Sequence, residues 1–339
     1  MVTEKLSRRQ ALKITAVAGV GVALGAPVVS ELIRRSRLHQ VSVTRTQLGT
    51  AVTVTVVHPD AAQAHSMVTG AFAEIERLEG VLSRYRPETP LARLNRDGVV
   101  TEAPAELVHV VSRALEYAQL TDGAFDVTVA PVLNLFVSRA AAGHAPPSAA
   151  EIAAAMPLIG WQGVEVDGST ISLARPGMAL TLDAIAKGFV VDRAVATLRD
   201  AGADRVLVEA GGDMATRADA DDPWRVAIQD PHDERGTLGV VQLRGTSLAT
   251  SGDYQQYFSP DRVLNHIIDP RTGRSPLRSS GSTVQAATAT DADALSTAIF
   301  VLGPEAGIAL LDRLDGIEGM LVTKTGEIFT SKGFQADRV

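Results

Sequence analysis

Apolar and polar residues follow the periods of strands and helices along most of the chain beyond residue 40. Within residues 41–57, three valines alternate with polar residues beyond a Gly-Thr break at 49–50, and this pattern predicts a pair of strands. Residues 60–82 carry their large apolar side chains at helical spacing, which predicts one long helix with a single buried face. That expected face comprises Met67, Phe72, Ile75 and Leu78.

The remaining segments predict a mixture of helices and short strands. Helices are expected over residues 104–123, 131–142, 184–201, 291–301 and 307–314. Short strands are expected around Gly168 and over 206–208, 224–228 and 238–243, with a hairpin over 320–329 and loops over 83–99 and 144–148. No repeat and no change of composition divides residues 41–339. The sequence therefore predicts one large α+β domain (mixed α/β) with two lobes, its sheets mostly antiparallel and flanked by helices.

The composition excludes several classes of function. The chain has 339 residues, with 32 Lys and Arg against 39 Asp and Glu, and a net charge of −7. An acidic chain binds the phosphate backbone of nucleic acids poorly, so no nucleic-acid partner is expected. The chain contains no cysteine, which excludes disulfides, thiolate metal sites, a cysteine nucleophile and a lipoprotein anchor. Any bound metal must therefore use oxygen or imidazole ligands.

The first 30 residues have the pattern of an export signal. The pair Arg8 and Arg9 precedes an uncharged run over residues 14–30, which is short for a membrane-spanning helix. We expect export by the twin-arginine machinery to the periplasm or another extracytoplasmic compartment, a linker over 31–40 and a folded domain over 41–339. An uncleaved leader would tether the protein to a membrane. The alternative is an amphipathic first helix with a chance arginine pair.

Two segments carry candidate chemistry in the second half of the chain. Lys187 lies in the first turn of a predicted helix, where the helix dipole disfavours a cation unless an anion is bound. This makes Lys187 a candidate for contact with a phosphate, and a solvated surface lysine is the alternative. His266 precedes Asp269, Arg271 and Thr272, so it is a candidate general base, although residues 269–273 also suit an ordinary turn.

A further pair of residues could hold a metal. Asp293 and Thr297 are four residues apart on a predicted helix, so they share one face. A carboxylate and a hydroxyl are hard oxygen ligands of the kind that Mg²⁺ prefers. From spacing alone, capping of the helix by Asp291 or Asp293 explains these residues better than a metal does.

Taken in order, such segments resemble the ApbE family of FAD:protein FMN transferases over about residues 41–335. The start Thr181-Leu182-Asp183 resembles the subgroup linked to maturation of nitrous-oxide reductase. The motifs that carry the resemblance are Leu48-Gly49-Thr50, Ser83-Arg84-Tyr85-Arg86-Pro87, Leu91-Ala92-Arg93-Leu94-Asn95, Phe125-Asp126-Val127-Thr128-Val129-Ala130-Pro131, Asp183-Ala184-Ile185-Ala186-Lys187-Gly188, Gly211-Gly212-Asp213, Ala249-Thr250-Ser251-Gly252-Asp253-Tyr254, residues 266–273 and Ala292-Asp293-Ala294-Leu295-Ser296-Thr297-Ala298.

The resemblance implies an enzyme that uses FAD and Mg²⁺ to transfer FMN to a Ser or Thr hydroxyl of an acceptor flavoprotein, with release of AMP. His266 is then the expected catalytic base, and Asp253 would support the site. The implied metal ligands are Asp293 and Thr297 by side chain, Ala184 by its carbonyl, and Ser296. Lys187 would face the phosphates and Tyr85 would stack on the rings of FAD. The other implied FAD contacts are Leu48, Asp126, Val127, Thr128, Thr181 and Ile267.

The chain departs from the family pattern at four positions. The family often has Met at position 48, an acidic residue at 181, Trp at 136 and Asn at 209, where this chain has Leu48, Thr181, Phe136 and Glu209. These changes bear on the FAD contacts more than on the metal site. Two alternatives therefore stay open: Mg²⁺-dependent hydrolysis of FAD to FMN and AMP, and a non-catalytic FAD-binding maturation factor.

Overall fold

The computed structural model describes residues 38–219 and 221–337. The expected leader, residues 1–30, and most of the expected linker lie outside the described residues. The first strand begins at His39, inside the segment expected to be a linker. No helix within the described ranges is long and apolar enough to cross a membrane.

The described residues form thirteen strands and eight α-helices. In chain order the strands are β1 (His39–Gln47), β2 (Thr50–His58), β3 (Val99–Val100), β4 (Val164–Asp167), β5 (Thr170–Leu173), β6 (Arg205–Ala210), β7 (Asp213–Arg217), β8 (Trp224–Asp230), β9 (Asp233–Leu243), β10 (Ser247–Gly252), β11 (Ser279–Ala286), β12 (Glu318–Thr323) and β13 (Ile328–Thr330). The helices are α1 (Ala61–Leu82), α2 (Pro90–Asp97), α3 (Ala105–Leu120), α4 (Ala130–Ala141), α5 (Ala149–Ala155), α6 (Ala186–Asp200), α7 (Ala289–Leu302) and α8 (Pro304–Leu311).

Eight strands form one antiparallel sheet in the order β1-β2-β6-β7-β10-β11-β12-β13. The predicted strand pair is confirmed, with Val54 opposite Val43 across the β1–β2 ladder. A three-stranded sheet (β3-β5-β4) and a two-stranded sheet (β8-β9) complete the strands of the described residues. The prediction of a mixed α/β fold with mostly antiparallel sheets is confirmed.

The helices α1, α6 and α7 bury the main hydrophobic core against the large sheet. All four residues of the predicted face of α1 are buried, and Asp60 caps the helix by accepting from the N–H groups of Ala62 and Gln63. A second, smaller apolar cluster lies between β8–β9 and the main sheet; it contains Val226, Val241 and Met320. Two further small clusters lie around Phe136 and around Phe300, and the division into two lobes stays a prediction.

Two of the described helices were not predicted from the sequence. One lies in a segment that was expected to be a loop, and the other lies where no element was predicted. The helix α2 begins at Thr89, whose hydroxyl accepts from the Ala92 N–H at 3.1 Å, and ends at Gly98 with φ of 75°. The helix α5 begins with a capping box between Ser148 and Glu151. The expectation of loops throughout residues 83–99 was therefore wrong over the eight residues of α2, whose signals are the Thr89 cap, Pro90 in the first turn and the buried pair Leu91 and Leu94.

Candidate active site

The first turn of α6 and the start of β7 bring a lysine and two carboxylates together. Lys187 forms an ion pair with Asp213, and its Nζ lies 3.8 Å from Oδ1 of Asp293 on α7. The side chains of Asp213 and Asp293 are 2% and 3% exposed, whereas that of Lys187 is 27% exposed. A lysine in the first turn of a helix was expected to need an anion nearby. In this structure, carboxylates of the protein itself supply that negative charge to Lys187.

The charges of this cluster do not balance. Burial opposes the charge on Lys187, but the two carboxylates more than compensate and raise its pKa, so the ammonium stays charged. Burial and repulsion from Asp213 raise the pKa of Asp293 to about 7. One ammonium facing two buried carboxylates leaves a negative charge without a partner, and a bound cation would relieve it.

Hard oxygen donors continue along the same face of α7. The hydroxyls of Ser296 and Thr297 lie 2.8 Å and 3.0 Å from the Ser251 hydroxyl on β10. Asp293 Oδ2 accepts the N–H of Gly188 at 3.0 Å, which orients the carboxylate against α6. The expected ligands Asp293, Ser296 and Thr297 therefore do lie together. The segment that holds Ala184 leads directly into α6.

A cleft of about 230 Å³ opens beside Lys187. It joins three positions that the resemblance assigned to FAD: Leu48, Tyr85 and Lys187. Leu48 adopts a positive φ of 54° in the β1–β2 turn, and its N–H donates to the Glu79 carboxylate at 3.2 Å. The remaining lining is mixed apolar and polar: Gly49, Glu79, Leu82, Ser83, Arg86, Asp183, Ala186 and Val190.

The mouth of the cleft is formed by Arg84, Tyr85 and Asp183. Asp183 Oδ2 accepts from Arg84 Nε at 3.0 Å and from the Tyr85 hydroxyl at 2.9 Å. The guanidinium of Arg84 lies 4.5 Å from the centre of the Tyr85 ring, and Tyr85 is 68% exposed. Partial burial of the hydroxyl and the charge of Asp183 raise the pKa of Tyr85 to about 12. Tyr85 therefore stays protonated and presents its exposed ring to the cleft.

His266 lies in the long segment between β10 and β11. Its Nδ1 is 3.1 Å from the Gln256 carbonyl oxygen, so Nδ1 carries the hydrogen and Nε2 is left as the basic nitrogen. Burial lowers the pKa of His266, and the charges of Lys187, Asp183 and Asp253 act on it as well. His266 is thus neutral at pH 7, close to the lysine cluster, and able to accept a proton.

One ion pair fastens this segment to the sheet. Lys324, just beyond β12, pairs with Asp253 and donates to the Arg262 carbonyl at 3.1 Å. Asp253 is 1% exposed, and its second oxygen, Oδ1, has no hydrogen-bond partner among the described residues. The support expected from Asp253 takes the form of a contact that holds the His266 segment.

The comparisons with known proteins identify the family of the chain. The model of the ApbE family matches residues 48–321. The chain belongs to the ApbE family. A Vibrio cholerae protein named FAD:protein FMN transferase is 31% identical over 300 residues, covering 86% of this chain and 89% of that protein. A Treponema pallidum protein of the same name is 33% identical over 333 residues, covering 90% of each chain.

Solved ApbE structures share the fold. The flavin transferase ApbE from Vibrio cholerae superposes with a TM-score of 0.76 at 29% identity, covering 88% of this chain and 98% of that one. The ApbE protein of Thermotoga maritima gives a TM-score of 0.78 at 27% identity, covering 87% and 97%. The ApbE match includes every expected site residue, from Leu48 to Thr297.

The other expected FAD positions lie on three separate segments and make contacts within the protein. Asp126 accepts from the N–H and hydroxyl of Thr128 at 2.8 and 2.6 Å, and from the Trp161 N–H at 3.0 Å. The Thr181 N–H donates to the Val127 carbonyl at 2.8 Å. The side chain of Ile267, like that of Val127, is buried. These contacts stabilise the local fold, and the contacts of these residues with FAD stay predictions.

Several residues of the site had no role assigned from sequence. Asp213 follows the Gly211-Gly212 turn, but its pairing with Lys187 depends on how β7 lies against α6. Arg84 and Ser251 stand inside quoted motifs, and only the folded chain shows that they orient Asp183 and Thr297. Sequence could mark the motifs but could not show these contacts, because each joins residues far apart in the chain.

Proposed function

We propose that this protein transfers FMN from FAD to a Ser or Thr hydroxyl of an acceptor flavoprotein and releases AMP. The observation that carries the proposal is the convergence of Lys187, Asp293 and Thr297 beside a cleft that Tyr85 borders. A cation, oxygen ligands and an aromatic ring are the groups that bind a dinucleotide pyrophosphate and its rings. The names of the relatives support the same activity.

We propose that Mg²⁺ is held by Asp293 and Thr297, with Ser296 and the Ala184 carbonyl as further oxygen donors. The residues fit such an ion because burial and repulsion from Asp213 raise the pKa of Asp293 to about 7, and a cation at its oxygens would stabilise the ionised carboxylate. All of these donors are oxygens, as Mg²⁺ requires. When bound, the ion would neutralise charge on the phosphate oxygens.

In the proposed reaction, the neutral Nε2 of His266 takes the proton from the acceptor hydroxyl. That oxygen then attacks the phosphorus of the FMN half, the bond to the AMP oxygen breaks, and AMP leaves. We propose that the ammonium of Lys187 contacts the phosphates and that Tyr85 stacks on an FAD ring. Leu48, Asp126, Val127, Thr128, Thr181 and Ile267 are proposed as additional contacts.

We further propose that the leader directs twin-arginine export, so that the acceptor is a periplasmic or membrane flavoprotein. Membership of the nitrous-oxide subgroup stays a prediction. Replacement of both Arg8 and Arg9 with Lys should leave the protein in the cytoplasm when cell fractions are compared by immunoblot. Unchanged appearance in the periplasm would contradict this route.

Product analysis tests the proposed transfer against hydrolysis. The full chain is mixed with FAD, Mg²⁺ and an FMN-binding acceptor domain that carries the target Thr, and a matched acceptor carries Thr→Val. Transfer predicts equal amounts of AMP and of FMN bound covalently to the Thr acceptor, and none on the Val acceptor. Free FMN with AMP in both mixtures would indicate hydrolysis, and bound FAD without either product would indicate a non-catalytic binding protein.

A further inference from the structure

The proposed metal site is divided between two helices. The Ala184 carbonyl precedes α6, and Asp293 and Thr297 project from α7. Their separation therefore depends on how α7 is seated on α6, and a shift of one helix along the other would pull the oxygen donors apart. The contacts that fix this seating lie outside the ligand set.

One side chain of α6 binds the start of α7 directly. Asp192 Oδ1 accepts the N–H of Ala289 at 2.8 Å. Asp192 Oδ2 accepts both the N–H and the hydroxyl of Thr290, at 2.8 and 2.7 Å. Three hydrogen bonds from a single carboxylate thus join the middle of one helix to the first turn of the other.

This contact is more than an ordinary helix cap. The first N–H groups of a helix lack partners within the helix, and a residue just before the helix usually supplies one. The helix α7 already has such a cap, because the Thr288 hydroxyl accepts from the Asp291 N–H at 3.1 Å. Asp192 is a second acceptor that comes from a neighbouring helix, so its bonds form only at one position of α7 along α6.

A second contact lies one helical turn away on the same face of α6. A Cβ on Gly188 would lie 2.2 Å from the carbonyl oxygen of Ala289, so only glycine permits this approach. The N–H of Gly188 also donates to Asp293 Oδ2 at 3.0 Å. Gly188 sets the closeness of the helices, and Asp192 sets the position of α7 along α6.

We propose that Asp192 is a positioning residue of the transferase, which holds α7 in register with α6 and thereby assembles the metal-binding oxygens. The inference rests on the proposed function for the identity of the site, although the register itself does not. Asp192 touches neither metal nor substrate in this account. Its effect passes through the backbone of Ala289 and Thr290 to Asp293, one turn further along α7.

The test compares Asp192→Asn with Thr288→Ala in the full chain. Asparagine keeps the shape of the side chain but replaces one acceptor oxygen with a donor. Thr288→Ala removes an acceptor from the same helix start and leaves the link between the helices intact. Two readouts are measured without FAD or acceptor: the Kd for Mn²⁺ by paramagnetic resonance, and amide hydrogen exchange of the Gly188, Ala289 and Thr290 N–H groups in metal-free protein.

We expect Asp192→Asn to weaken Mn²⁺ binding by about 10- to 100-fold, the range for residues that orient ligands, and to speed exchange at Gly188. Thr288→Ala should change the Kd for Mn²⁺ by less than about threefold, because loss of a local cap frays only the helix end. This should hold even if its Tm falls by as much as that of Asp192→Asn. Equal weakening by both variants, or none in Asp192→Asn, would overturn the proposal. If the wild type binds no Mn²⁺, the metal assignment fails, and unchanged exchange at Gly188 would then refute the register as well.

Discussion

Two regions beside the cleft both combine carboxylate and cation, yet they differ in charge balance and exposure: the buried cluster of Lys187, Asp213 and Asp293, called the floor because Lys187 lines the cleft there, and the mouth. At the floor, Lys187 faces two carboxylates that are almost completely buried. At the mouth, Arg84 faces the single carboxylate of Asp183, whose side chain is 42% exposed. The floor has an uncompensated negative charge in a site of low dielectric constant, whereas the pair at the mouth is neutral and partly solvated.

This difference indicates what each region can bind. Buried excess negative charge is costly unless a cation arrives, so the floor is suited to a metal ion. The pair of Arg84 (9% exposed) and Asp183 (42% exposed) gains little from another ion, because its two charges already compensate each other. The mouth is suited to stacking on a ring. Substitutions at the two ends should therefore affect different quantities.

The largest effect is expected from matched substitutions of one carboxylate at each end. Asp293→Asn should reduce the rate of Mg²⁺-dependent transfer by more than about 100-fold, because loss of a ligand costs more than loss of a residue that orients one. Asp183→Asn should cost less than about tenfold and should act mainly on the KM for FAD. Rates are measured by AMP release at saturating acceptor. Similar losses in kcat for both variants would show that the floor and the mouth do not have the different roles assigned to them.

An effect of comparable size is expected for His266, on which the charges of Lys187 and Asp183 both act. His266→Ala should lower kcat by about 100- to 10,000-fold, the range for a general base, while FAD still binds. His232→Ala serves as the control, since the His232 ring contacts the Thr323 carbonyl, outside the cluster of Lys187. Retained transfer in His266→Ala, with normal FAD binding, would remove the base from the mechanism.

The pH dependence of wild-type activity is a further test of His266 as the general base. Because burial lowers the pKa of His266 below 6.5, the imidazole stays neutral and basic down to a pH below that value. At saturating Mg²⁺, which would keep Asp293 ionised, the acid limb of the profile of kcat/KM should therefore have its midpoint below 6.5 and should disappear in His266→Ala. A midpoint above 6.5 would indicate a different base or a carboxylate that stabilises the imidazolium.

A smaller effect is expected on stability from the helix contact beneath the floor. Gly188→Ala places a methyl group 2.2 Å from a backbone oxygen, and should cost about 3 kcal/mol of unfolding free energy, the upper end for overpacking. Gly80→Ala in α1 meets nothing within 4 Å, and should be neutral or stabilising by up to about 1 kcal/mol. Urea unfolding of both variants checks the contrast.

The smallest effect is expected at the mouth. Tyr85→Ala should weaken FAD binding by about tenfold, which corresponds to about 1.4 kcal/mol, near the upper end for loss of an aromatic pair. Tyr85→Phe keeps the ring and loses the hydroxyl's hydrogen bonds with Asp183 and Arg84, so its affinity should stay within about threefold of wild type. Quenching of flavin fluorescence measures both. Equal loss in Phe and Ala would show that the hydroxyl, and not the ring, carries the contact.

Sequence predicted those parts of the fold in which apolar side chains have a clear period. The helix α1 and the β1–β2 pair are such elements, and both were located correctly. The strand β11 was missed because both its faces are buried, which removes the alternation of apolar and polar residues. Its serines are satisfied inside the protein, as when Ser282 donates to the Ser296 carbonyl at 2.7 Å, so their polarity gave no sign of burial.

The site was predictable as a set of motifs but not as a set of contacts. Lys187 stood out because a cation is unfavourable at a helix start, and Asp293 with Thr297 because they share a helix face. The partners Asp213 and Asp192 could not be assigned, because the first depends on where β7 meets α6 and the second on where α6 meets α7. Such contacts follow from tertiary packing, which no local pattern encodes.

The central claim, that the buried floor is a divalent-cation site, is tested most directly by calorimetric titration of the full chain with Mg²⁺, in parallel with Asp293→Asn and Asp183→Asn. The account predicts saturable binding to the wild type and to Asp183→Asn, and loss of that binding in Asp293→Asn. Undiminished binding in Asp293→Asn would contradict the claim.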